Sequence, residues 1–186
     1  LDSIMPLMGW VAANLLIGHQ QPVLMGNDKF TAAPSGTFAT ADGCVNIAAN
    51  QQKQWEDLAK ALGVSELVED PRFKERDTRK ANRKLLTPLL EEKLRQQTTA
   101  HWVEVLNAVD VPTGAVIGLE EALLQEQCKH RQTLQPLNVE GIGEIPFFSL
   151  TAKFSATPGA LETAPPRLSQ HTVEILGTLG YSEADV

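Results

Sequence analysis

The sequence predicts an α+β fold, a small mixed domain with a short β-sheet and several helices. Three observations carry that expectation. Apolar residues recur at helical spacing in six stretches between Ile4 and Leu179. One strong hairpin signal, Asp42-Gly43, joins two short strand-like runs. Strands and helices do not alternate in the regular way that a parallel sheet requires.

The first stretch lies between Ser3 and Gly18, which holds no charged residue. Ile4, Leu7, Met8, Val11 and Leu15 form a helical stripe, and Met5, Trp10, Ala12, Leu16 and Ile17 fill much of the rest. Its sixteen residues fall short of the roughly 20 that span a bilayer. Asp2 stands where a signal peptide needs basic residues, so the expectation is a buried helix and no membrane. Gly18 to Gly36 is loop-like, with Pro22, Gly26, Asn27 and Pro34. Strands are expected at 37–40 and 44–48, and the hairpin turn between them gives Gly43 a positive φ. Asn50 is read as the cap of a helix carrying Trp55, Leu58, Ala59 and Leu62, stopped by Gly63.

Asp70-Pro71 reads as a helix entry. A longer helical zone is expected over 78–97, with Ala81, Leu85, Leu89 and Leu90 inward and a kink or restart at Pro88. Thr98 or Thr99 caps the next helix, through Trp102, Val105 and Leu106, and Val111-Pro112 ends it. Val116-Ile117 is a short strand candidate, followed by a helix over 119–130. Residues 134–158 read as strand and loop, with a bend at Gly141-Ile142-Gly143, and 170–179 as a final helix. Ser182 to Asp185 looks like the start of one more helix. With the opening on Leu1, that abrupt end suggests a piece of a longer protein.

Composition narrows the function. Of 186 residues, 42% are hydrophobic and 21% charged, which suits one good core or two small ones and argues against general disorder. Sixteen Lys and Arg against 23 Asp and Glu leave a net charge of −7, which repels nucleic-acid phosphates. Cys44 and Cys128 cannot build a disulfide framework and read as reduced thiols of a cytoplasmic protein. His19, His101, His130 and His171 are dispersed without metal-ligand spacing, and neither a P-loop nor GxGxxG occurs. No metal and no tightly bound cofactor is expected. Between Arg72 and Lys84, seven basic residues in thirteen could hold a phosphate, but a solvated helix face is the favoured reading.

The order of the segments is more specific than any one of them. The stretches LMGWVAAN (7–14), TFATADG (37–43), IAAN (47–50), Gln54-Trp55, DPRF (70–73), Ala81-Asn82-Arg83, VPTG (111–114), RLSQHTVEIL (167–176) and Leu179-Gly180-Tyr181 follow one another over nearly the whole chain. In that order they resemble the small domain and C-terminal part of the class III coenzyme A transferases, the CaiB/BaiF family. The resemblance implies a fragment of that family's α/β fold. It divides the chain into a connector helix and loop (1–30), a small α+β domain (31–150) and a C-terminal connector and helix (151–186).

The resemblance also implies chemistry, the transfer of CoA between an acyl-CoA thioester and a carboxylic acid. In this family an aspartate of the large N-terminal domain attacks the thioester and passes through a mixed anhydride and an aspartyl-CoA thioester. No segment here resembles that domain, so no catalytic residue is assigned, and Asp42, Asp70 and Asp110 are not promoted. The family's substrate-side loop corresponds to residues 30–36, which nominates Ala33, Pro34, Ser35 and Gly36 as substrate-binding, their small size letting backbone N–H groups approach an acyl oxygen. The chain alone is expected to be inactive, with acyl-CoA and carboxylic acid as partners of the complete enzyme, and to form a homodimer or otherwise self-associate through its first helix. Two alternatives stand beside this, a stand-alone non-catalytic binding or scaffold module and a different enzyme resting on Cys44 or His171. An upstream reading frame with an aspartate-bearing α/β domain separates the first from the enzyme reading.

Overall fold

Strand β1 (Ser35–Ala39) pairs antiparallel with β2 (Cys44–Ala48), and β2 with β3 (Thr113–Ala115), giving a three-stranded sheet in the order β1-β2-β3. The structure is a computed structural model describing residues 2, 4–29 and 31–182. Its first unit runs up to Val116 and its second begins at Ile117.

The sheet follows from period-two burial. Val45 and Ile47 point into the core while Asn46 between them faces out. β1 begins two residues earlier than the sequence predicts. The third strand lies at 113–115 instead of Val116-Ile117, because Asn107 fixes the chain there: its side chain bonds both Thr113 O (2.8 Å) and Thr113 N (3.1 Å). The hairpin turn is at its predicted place, closed by Thr40 N donating to Gly43 O (2.9 Å). Gly43, however, is not among the positive-φ residues, so the predicted left-handed strain does not apply.

Helices α2 (Gln52–Ala61), α5 (Arg83–Leu94) and α6 (Thr99–Asn107) share the core with the sheet, α3 (Glu66–Glu69) packs against that core, and α4 (Arg76–Ala81) leads into α5. Trp55, Leu58, Phe73, Leu86, Leu90, Leu94, Trp102 and Leu106 join Phe38, Val45 and Ile47 in one core. Trp102 donates its indole N–H to Leu94 O (2.7 Å), which ties α6 to the end of α5. The first turn of α2 is held by Gln54, whose Oε1 accepts from the backbone of Asn50 and Gln51, so Gln51 and not Asn50 is its cap. Asp70-Pro71 opens a turn instead of a helix, with Phe73 N and Lys74 N both donating to Asp70 O. The long zone breaks at Asn82, whose amide donates to Arg72 O and Thr78 O, and Pro88 is carried inside α5. Thr98 caps α6, accepting from His101 N.

The N-terminal segment departs most from expectation. A 3₁₀ turn (Met5–Met8) precedes helix α1 (Gly9–Leu16), and Gly9, the first residue of α1, takes a φ of +42°. The expected buried helix is absent: no residue of either element is buried. Among the described residues no helix is long and apolar enough to cross a membrane.

In the second unit, α7 (Leu119–Leu123) and α8 (Glu126–His130) divide the single predicted helix at Leu124-Gln125. β4 (Leu134–Val139) and β5 (Gly143–Phe148) form an antiparallel hairpin around the predicted bend. Pro136 and Pro146 sit opposite each other, tolerated because both strands are edges. Gln135 bonds the backbone of Leu161 through both its amide atoms, and α9 (Thr172–Thr178) follows. The helix start read at 182–185 lies outside the described residues beyond Ser182.

Candidate functional site

A cleft of about 480 Å³ opens in the first unit between the N-terminal segment and the outer side of the sheet. One wall is Ser35, Gly36, Asn46 and Ile47; Trp10 and Asn14 of α1 contribute to the opposite side. Of the residues nominated from sequence, Ser35 and Gly36 line the cleft, whereas Ala33 and Pro34 are buried away from its lining. The Ala33–Pro34 peptide is cis. Phe30, the first residue of the nominated loop, lies outside the described residues.

Gly36 is fixed by close approach. Its φ is +151°, and a Cβ there would stand 3.0 Å from both Asn27 O and Asp28 Oδ1. Ser35 is held from two sides, its hydroxyl donating to Asn50 Oδ1 (3.2 Å) and its carbonyl accepting from Lys29 N (3.1 Å).

The basic run supplies what holds this segment, and the solvated-face reading fails for part of it. Arg79 is only 2% exposed and donates to Ala33 O (2.7 Å), Phe73 O (2.7 Å), Lys74 O (2.9 Å) and Gln52 Oε1 (3.1 Å). All four acceptors are neutral oxygens, and the guanidinium also lies 5.2 Å from the centre of the Trp55 ring. Burial pushes its pKa below the ordinary arginine value, which still leaves the guanidinium charged at neutral pH. Arg76 donates to Thr31 O (2.8 Å). Arg83 donates to Lys29 O and Ala32 O and pairs with Asp28 (3.5 Å). The remaining cations behave as expected of a surface, Arg72 pairing with Asp70, Lys74 with Glu69 and Lys80 with Asp77. Composition alone hid the division. Residues 76, 79 and 83 repeat at helical spacing, and that spacing was the available signal.

Two of the three aspartates not promoted to catalysis, Asp42 and Asp70, have structural work. Asp42 accepts from Thr99 N (2.7 Å), and this bond holds its carboxyl below the usual 3.8. Arg72 likewise lowers Asp70. Cys44 and Cys128 are half-buried and free, and His171 faces Glu174 at 3.4 Å in the second unit. Among the described residues no group of three or more His, Cys, Asp or Glu is placed to hold a metal.

The fold defines a small α+β domain with a ligand-sized cleft beside its edge strand. Comparison with known proteins makes it specific: the profile of CoA-transferase family III matches residues 1–172, and the chain belongs to that family. It is similar to a succinyl-CoA:glutarate CoA-transferase of Mus musculus, 28% identical over all of this chain and 43% of that protein. A succinyl-CoA–D-citramalate CoA-transferase of Chloroflexus aurantiacus is 31% identical over 87% of this chain and 40% of its own length. The crystal structure of a CaiB/BaiF family protein from Brucella suis superposes with a TM-score of 0.77 at 29% identity, covering 96% of this chain and 46% of that one. The chain thus spans less than half the length of these relatives.

Proposed function

We propose that this chain is the small-domain part of a class III CoA-transferase, which moves CoA between an acyl-CoA thioester and a carboxylic acid. The observation that supports the reading is the cleft wall at Ser35 and Gly36, a small-residue segment shaped by close backbone approach beside an otherwise largely apolar lining. Such a wall suits the acyl portion of a thioester, and the names of the relatives point to small dicarboxylic acids and their CoA esters. In this reading the attacking aspartate comes from outside the chain. Its carboxylate displaces the CoA thiolate to form a mixed anhydride, and the thiolate then attacks the aspartyl carbonyl and releases the donor acid. The acceptor carboxylate repeats the two steps in reverse and leaves with CoA. The protein works as a homodimer in a reducing compartment, with Cys44 and Cys128 as thiols. Incubating the chain with acyl-CoA donors and free acids tests the division of labour: no exchange above buffer is expected, and turnover surviving repurification overturns it.

A further inference from the structure

We propose that Arg76, Arg79 and Arg83 are positioning residues that set the shape of the cleft wall, an inference resting on the reading of that wall as ligand-contacting. Their three guanidinium groups take the carbonyls of residues 29, 31, 32 and 33. Residues 31–33 precede β1 and pair with none of the described strands, yet Ala32 and Ala33 are buried, so their carbonyls need donors from elsewhere. The arginine row is that source. Two links carry its geometry onward to the cleft. Lys29 N donates to Ser35 O, and Asp28, paired with Arg83, packs against Gly36. A buried cation facing only neutral oxygens is a costly way to fill a core position. A rigid fork of donors that orients several carbonyls at once is what a guanidinium offers and an apolar side chain does not.

Amide hydrogen exchange on the 186-residue chain tests this with the rim variants Arg76→Ala and Arg83→Ala, with Arg72→Ala as control. In Arg83→Ala the Lys29 amide is expected to exchange about tenfold faster, while Leu58 in α2 and Leu106 in α6 keep their protection. Added methylguanidine is expected to restore the Lys29 amide. Unchanged Lys29 exchange in both folded rim variants overturns the proposal. So does an equal rise at Lys29, Leu58 and Leu106, which marks global destabilisation. Calorimetric titration with succinyl-CoA supplies the readout that a merely structural role would not move: binding about fivefold weaker in Arg83→Ala than in wild type. Equal affinity with faster exchange overturns the positioning role. If the wild-type chain binds no succinyl-CoA, the reading of the cleft wall as ligand-contacting falls, and the exchange result still decides the clamp.

Discussion

Asp42 joins two elements with one carboxylate. It sits in the hairpin turn and accepts from Thr99 N at the start of α6, while Thr40 Oγ1 lies 2.7 Å from Thr99 Oγ1. An anion at a helix N-terminus is favoured, and the bond lowers the carboxyl from 3.8 in the folded state. The sign follows from that direction. The stabilisation is fully present above the unfolded pKa near 3.8 and is lost as pH falls through the lower folded value. Asp42→Asn is therefore expected to lower the Tm at neutral pH and to flatten the acid side of a Tm-versus-pH curve. A variant curve parallel to wild type below pH 4 counts against this account. Gly43, next in the turn, is restricted by contact and not by φ, since a Cβ there would stand 3.2 Å from Thr99 Oγ1. Gly43→Val is expected to cost roughly 1–3 kcal/mol, by crowding. In a Thr99→Ala background the cost should shrink, and a double-mutant cycle with no coupling removes the explanation. Gly36→Ala meets both obstacles, a φ of +151° and two oxygens at 3.0 Å, and is expected to cost roughly 1–3 kcal/mol by denaturant melts.

At the scale of elements, what the sequence disclosed was periodicity, and what it concealed was tertiary hydrogen bonding. β2 is legible residue for residue because the apolar run around Val45 and Ile47 follows directly on the Asp42-Gly43 turn signal. α6 is legible because Thr98 and Trp102 mark its start and its inner face. The α4–α5 break is not, since Pro88 is the stronger local signal and Asn82 acts only through carbonyls that folding brings to it. The inward face of α5 shifts with that break: Leu86 is 1% exposed and Leu85, expected inside, is 52% exposed. Leu90→Ala is accordingly expected to cost about 2–5 kcal/mol, and Leu86→Ala a similar amount. Leu85→Ala should stay within about 0.5 kcal/mol, as surface substitutions do. Urea titrations showing Leu85→Ala as costly as Leu86→Ala would restore the sequence-based face. The cleft was half legible in the same way. Resemblance pointed to Ser35 and Gly36, but nothing in the loop-like 18–29 segment signalled that it approaches Gly36 or that an arginine row would hold it.

For the whole molecule, the N-terminal segment is where self-association is expected. The sequence predicts the stretch between Ser3 and Gly18 buried, yet Leu7 before the helix is 82% exposed and Ile17 after it 80%, with Ile4, Trp10 and Leu16 also exposed. A helix apolar all round can hide one side against its own unit, and here Val11 and Asn14 contribute that side by lining the cleft. The other sides leave apolar surface in water, which marks an interface or an aggregation hazard. Pairing across a two-fold axis closes such a surface with a single kind of contact. The chain is therefore expected to sediment as a dimer at high micromolar concentration. Changing Leu7, Leu16 and Ile17 together to Ser should return it to monomer with the core unchanged, because none of the three belongs to the buried cluster. Near-ultraviolet circular dichroism from Trp55 and Trp102, both in that cluster, reports whether the fold survives the triple change. A monomeric parent chain under these conditions, or a triple variant that still dimerises while folded, removes the first helix as the interface.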